Sequence, residues 1–132
     1  MPFLNIKIAG APLAPESIRR LQQQATSLMA VVLGKRAELT SVLVEEVPVA
    51  GWSVGGAPLT VAAHLDAKVT AGTNTAAEKA RFIAEAHALL KTIAGPDLPI
   101  ATYVVVDELP ADAWGYDGLT QAHRASAGAA TR

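Results

Sequence analysis

Four residues in this sequence have the type and placement to do chemistry. Pro2 follows Met1, so removal of Met1 would leave a prolyl nitrogen as the N-terminal group. A free prolyl nitrogen is a secondary amine that binds and releases a proton near neutrality, as no internal proline does. It leads into Phe3-Leu4-Asn5-Ile6-Lys7-Ile8, an apolar alternating run that reads as a strand and would hold the amine on a rigid element. Trp52 and Trp114 each follow a proline by four residues. An indole has an apolar body and a polar edge, which suits the wall of a pocket with one wet side. Tyr116 adds a phenol hydroxyl to the second of these walls.

The elements that must position these groups come in duplicate. Val44-Glu45-Glu46-Val47-Pro48-Val49-Ala50-Gly51-Trp52 is restated by Val106-Asp107-Glu108-Leu109-Pro110-Ala111-Asp112-Ala113-Trp114, at an offset of 62. Earlier in the unit the offset is 61: Lys7 falls on Lys68, Leu21 on Phe82, Leu28 on Leu89 and Gly34 on Gly95. One extra residue in the loop from Pro96 to Pro99 accounts for the change. Each copy reads strand, helix, strand.

In the opening strand, residues 2–9, one face takes Pro2, Leu4, Ile6 and Ile8. In its second copy that face takes Leu65, Ala67 and Val69, while His64, Asp66 and Lys68 point the other way. The first helix is expected from about Pro15 to Leu33, with a stripe of Ile18, Leu21, Ala25, Leu28, Met29 and Val32 and a stop at Gly34. The second begins at the capping-box pattern Thr75-Ala76-Ala77-Glu78 and buries Phe82, Ile83, Ala86, Leu89, Leu90 and Ile93. Closing strands are expected at Ser41–Val47 and Ala101–Asp107.

The fold class is therefore α/β, in the α+β sense. Tandem β-α-β repeats form a four-stranded sheet with two helices on one face. The open face carries enough apolar residues to be covered by other subunits. The first unit spans residues 1–59, the second 60–120, and residues 121–132 read as a C-terminal tail on one compact domain.

Composition removes several function classes. The 132 residues are 51% hydrophobic with a net charge of −1, and no basic stripe points to nucleic acid. No apolar run approaches the roughly 18 residues a membrane span needs. Lys7 interrupts the opening run and no cleavage pattern follows, so the expected location is cytoplasmic. With no cysteine, disulfides and thiol catalysis are excluded. His64, His87 and His123 lie far apart without ligand spacing, so no metal is expected. Gly55-Gly56 opens no helix, so it is no phosphate loop, and no cofactor is expected. The acidic pairs Glu45/Glu46 and Asp107/Glu108 hold matched repeat positions, which favours a structural role. Arg19 and Arg20 lie off the apolar stripe and are expected to face solvent.

Taken together, the Pro2 strand, the segment Leu39–Glu46 and Trp52-Ser53-Val54-Gly55-Gly56 resemble the tautomerase superfamily. The first half resembles the short 4-oxalocrotonate tautomerase subunit. The fused arrangement resembles longer members such as malonate semialdehyde decarboxylase and cis-3-chloroacrylic acid dehalogenase. The segment Ala111–Tyr116 is most similar to the decarboxylase branch. The resemblance implies a tautomerase/MIF-like fold, a homotrimer with pseudo-hexameric symmetry, and a small enol, keto or unsaturated carboxylic substrate. It implies an isomerase using Pro2 as general acid and base, or a decarboxylase, hydratase or dehalogenase using the same proline.

The arginines the family uses against acidic substrates are missing. Their places hold Ala11 and Pro12, Leu43, and Thr70-Ala71-Gly72-Thr73-Asn74. The resemblance points to Lys68 as a relocated substrate-binding cation, the alternative being a solvated strand residue. Trp52 and Trp114, with Tyr116, read as substrate-contacting pocket walls, the alternative for the tryptophans being core packing or subunit contact. Ala63 falls where Pro2 falls in the first copy, so one prolyl site is expected per chain. A non-catalytic oligomeric binding module of ferredoxin-like topology is the reading from another class.

Overall fold

The computed structural model describes residues 2–126. Strand β1 (Phe3–Ala9) leads into helix α1 (Pro15–Leu33) and strand β2 (Ser41–Glu46). A short hairpin follows, β3 (Ser53–Val54) and β4 (Ala57–Pro58). The second unit repeats the plan with β5 (Ala62–Thr70), α2 (Ala76–Ala94), β6 (Val104–Leu109) and a second hairpin, β7 (Gly115–Tyr116) and β8 (Leu119–Thr120). A last helix, α3 (Gln121–Ser126), closes the described chain.

The main sheet runs β2-β1-β5-β6. Within each unit the strands are parallel, and the units join through antiparallel pairing of β1 with β5. Strand alternation sends Leu4, Ile6, Leu65, Ala67 and Val69 under the helices, where each is at most 1% exposed. Leu21, Ala25 and Met29 of α1 and Phe82, Ala86 and Leu90 of α2 meet them and each other.

Helix starts and stops follow their local chemistry. Thr75 and Glu78 form the full capping box, whereas α1 starts from Ala14 with no side-chain cap and a proline in its first turn. Gly34 ends α1 in the left-handed conformation at φ 69°.

Three sequence expectations are corrected. The last main strand begins at Val104, not Ala101, because Thr102 Oγ1 donates to the Pro99 carbonyl at 2.6 Å and holds that stretch as a turn. Ile83 is 41% exposed, since it sits at the edge of a stripe that Phe82, Ala86, Leu89 and Leu90 already fill. Residues 121–126 of the expected tail are helical and docked, with Gln121 only 3% exposed. Residues 127–132 of that tail lie outside the described residues.

The hairpins extend the repeat beyond the tryptophans. Gly55 and Gly56 have φ of 60° and 78°, and Asp117 and Gly118 have φ of 52° and 78°. Two successive positive φ values make the type I′ turn that matches strand twist.

Candidate active site

Pro2 stands at the head of β1, and its carbonyl accepts the Ser41 amide at 3.2 Å. Its ring is less than 2% exposed within the single chain. Phe3, the next residue, pairs with Ser41 on one side and Lys68 on the other. Lys68 is therefore a close neighbour of the Pro2 position across the sheet. Lys68 and Thr70 lie two apart on β5 and share its open face. The Trp114 indole Nε1–H donates to Thr70 Oγ1 at 3.2 Å. The fold thus brings Pro2, Lys68, Trp114 and, through β7, Tyr116 to one end of the sheet.

Trp52 is not among them. It follows β2, whose last residue, Glu46, pairs with Ile8 at the far end of β1. At about 3.3 Å per residue that end is about 20 Å from Pro2. It is the end that holds Ala63, the repeat mate of Pro2, which pairs with Ile8.

Lys68 is held by its own sheet. Its Nζ lies 3.1 Å from Asp107 Oδ2 and 3.8 Å from Asp66 Oδ2. The hydrogen bond to Asp107 raises the ammonium above the ordinary lysine value, with the Asp66 charge adding to this and partial desolvation opposing it. Lys7, the repeat mate, sits alike: its Nζ donates to Asn5 Oδ1 at 2.6 Å and lies 3.5 Å from Glu45 Oε2. The other acidic residues of the matched pairs are also engaged. Glu46 Oε1 accepts the Leu13 amide at 2.8 Å, and Glu108 pairs with Lys79 at 2.8 Å. Arg19 and Arg20 are exposed.

Two cations that the sequence does not mark stand at the Pro2 end. Lys35 follows the α1 stop and is only 4% exposed, with its Nζ donating to Thr73 Oγ1 at 2.8 Å. Thr73 belongs to the loop where the resemblance expects an arginine, so a positive charge from another element reaches that loop. Asn74 Nδ2 donates to the Leu33 carbonyl at 2.8 Å and ties the same loop to the end of α1. Nothing in the sequence marks Lys35 as buried, because a lysine after a helix-stopping glycine is normally solvated.

Arg124 is the second. Its guanidinium lies 3.9 Å above the Tyr116 ring, and Nη2 donates to the Tyr116 carbonyl at 3.0 Å. Backbone bonds dock the helix on the hairpin: Gln121 N–H to the Trp114 carbonyl at 3.0 Å and Ala122 N–H to the Ala111 carbonyl at 2.8 Å. A concavity of about 290 Å³ opens beside Trp114, lined by Asp112, Gly118, Leu119 and Thr120 among others. A basic residue inside an apparent tail carried no signal for this contact.

The arrangement offers an apolar strand head, an indole wall fixed by a hydroxyl, and cations brought in by a loop and a terminal helix. A family model described as "Tautomerase enzyme" matches residues 2–62 and again residues 64–124. The chain belongs to the tautomerase family. The Probable tautomerase K2 of Dickeya dadantii (strain 3937) is 35% identical over 60 residues, 46% of this chain and 90% of that protein. That tautomerase therefore corresponds to about one of the two repeats.

Solved structures of the same fold span both. The F6 fused 4-OT, a wild-type asymmetric trimer, is 24% identical with a TM-score of 0.78, over 92% of this chain and 97% of its own. The Q0 fused 4-OT, a wild-type symmetric trimer, is 20% identical with a TM-score of 0.79, over 91% and 96%. Pt0534, solved after inactivation by 2-oxo-3-pentynoate, is 15% identical with a TM-score of 0.81, over 92% and 97%. The chain is a tautomerase-family enzyme built on tandem β-α-β repeats. Among the described residues no helix is long and apolar enough to cross a membrane.

Proposed function

We propose that this enzyme is a cofactor-independent tautomerase in which the Pro2 nitrogen, freed by removal of Met1, carries a proton between oxygen and carbon of a small enol or keto acid. The observation that carries the reading is the position of Pro2. It is the first residue of the first family match and the head of a central strand, at the sheet end that also holds Trp114. Burial of the strand head would disfavour the charged form of a free prolyl amine. A neutral amine at neutral pH is a competent base. It takes the enol proton, becomes an ammonium, and returns a proton to the adjacent carbon as the carbonyl forms.

Trp114 and Tyr116 form the wall of this site in the same chain. Trp52 reaches a Pro2 site only across a contact between copies. The trimers formed by the F6 and Q0 proteins support a homotrimer as the working assembly. Lys68 meets a substrate carboxylate only by exchanging Asp107 for it. Decarboxylation, hydration or dehalogenation by the same proline is the neighbouring chemistry, and phenylenolpyruvate ketonisation separates tautomerisation from it.

The burial of the Pro2 ring favours a second reading, in which Pro2 only seals the strand head. Mass spectrometry and 2-oxo-3-pentynoate, the reagent that inactivates Pt0534, distinguish the two. The catalytic reading expects the purified chain to lack Met1 and to gain one adduct on residue 2 with parallel loss of ketonisation. A retained Met1, or equal rates for wild type and Pro2→Ala, would sink it.

A further inference from the structure

A cavity of about 260 Å³ opens between the loop after β1 and the end of α2, lined by Ala9, Ala11, Pro12, Leu13, Ser17 and Ala94 among others. Leu13 and Ala94, with Val61 and Ile93, are partly buried against the core and give the cavity an apolar floor. It lies at the Ala63 end of the sheet, where Ala9 pairs with Ala62.

The duplication explains why this end is hollow. At the Pro2 end the matching place is crossed by side-chain bonds, from Lys35 Nζ to Thr73 Oγ1 and from Asn74 Nδ2 to the Leu33 carbonyl. Pro96, Pro12 and Leu13 hold the places of Lys35, Thr73 and Asn74 in the other copy, so neither bond can form there. Ala94 holds the place of the fully buried Leu33, and Ser17 that of Glu78. Smaller and less polar side chains leave the space that the Pro2 end fills.

The lining decides what fits. No lining side chain carries a charge, and the Glu46 carboxylate nearby is engaged by the Leu13 N–H. The start of α1 and the end of α2 meet at the cavity, so a positive and a negative helix pole offset one another. An ion entering would lose hydration and find no partner, which is costly. The one polar side chain of the lining is Ser17, whose hydroxyl makes no hydrogen bond among the described residues.

We infer that this cavity is a second binding site, for a small uncharged molecule with one ring and a hydroxyl or carbonyl group that meets Ser17. An apolar cavity of about 150 Å³ takes benzene, so the volume here holds a ring with a short polar arm. The site binds its ligand without converting it, since Ala63 offers no amine. It stands independently of the Pro2 reading, and its ligand is the chemical opposite of an acid.

The test is amide-resolved NMR of the full chain in its native assembly, with benzyl alcohol as neutral probe and benzoate as its anionic counterpart. Benzyl alcohol should give saturable shifts at Ala11, Leu13, Ser17 and Ala94, and benzoate none there. Ala94→Leu, which restores the side chain of the matching position, should weaken benzyl alcohol about tenfold or more by filling the space. Ser17→Ala should weaken it about threefold to tenfold. Both variants should keep the wild-type rate of phenylenolpyruvate ketonisation, and Pro2→Ala should keep benzyl alcohol binding. No shift at these amides, equal binding of benzoate, or unchanged binding by Ala94→Leu would overturn the site. If Ala94→Leu fails to fold, Ala11→Phe at the exposed rim decides, and it should exclude benzyl alcohol likewise.

Discussion

At one end of the main sheet stand Pro2, Thr70 and Trp114; at the other stand their repeat mates Ala63, Ala9 and Trp52. The ends share the strand pairing, the apolar face, the type I′ hairpin and a lysine clamped by acidic or amide neighbours. They differ in the groups that could act on a molecule. Among the described residues, the first end alone has the proline, the hydroxyl that fixes an indole, the buried lysine Lys35 and the docked helix with Arg124. Among the described residues the Trp52 indole has no such anchor. Duplication thus sorts the residues: what appears at both ends builds the scaffold, and what appears at one end is free to serve a site. By this sorting Lys68, whose surroundings match those of Lys7, belongs to the scaffold and Arg124 does not.

The largest test of this contrast is at the strand heads. Pro2→Ala should lower kcat for phenylenolpyruvate by about 10²–10⁴-fold, the usual contribution of a positioned acid–base group. Ala63→Gly, at the mated position, should leave the rate within a few-fold once folding is confirmed by circular dichroism.

The hairpins come next. A Cβ on Gly115 would run into the Leu119 carbonyl, whereas the mated position in the first hairpin is already Ser53. Gly115→Ser should cost about 1–3 kcal/mol in urea unfolding and disturb Trp114 fluorescence. Ser53→Gly should change stability by well under about 1 kcal/mol.

Helix starts give a smaller effect. Thr75→Ala removes half of the capping box and should cost about 1 kcal/mol, while Ala14→Ser should add stability to the uncapped α1.

The smallest effect concerns the two clamped lysines. Lys7→Met and Lys68→Met should each cost no more than about 1 kcal/mol, as partly exposed ion pairs do. Folding raises the Lys68 pKa, so its contribution is complete below the unfolded lysine value and fades as pH climbs through the folded one. The difference between wild type and Lys68→Met should therefore hold up to about pH 10.4 and fade only above it, as pH climbs through the raised folded value, followed by urea midpoint against pH.

Much of the scaffold is legible in the sequence because it is written twice and in short-range terms. The helix limits at Pro15, Leu33 and Thr75 follow from proline, glycine and capping chemistry that act within a few residues. Periodicity gives a stripe but not its width, so Ile83 reads as buried in the sequence and is exposed in the fold. The site is less legible. Pro2 is visible as a type of residue, but whether its ring is covered depends on the folded chain. Trp52 and Trp114 look equivalent in sequence, and only strand order separates them by the length of the sheet. Lys35 and Arg124 are long cations whose burial is decided by distant partners, Thr73 and Tyr116. No local pattern encodes such meetings.

The segment between β4 and β5, residues 59–61, joins the two units covalently. In an assembly of separate identical subunits every substitution is made at all equivalent places at once. The peptide link gives each half its own codon for each position. An inherited change that suits one half is then not imposed on the other, and the two can drift apart while still packing as mates.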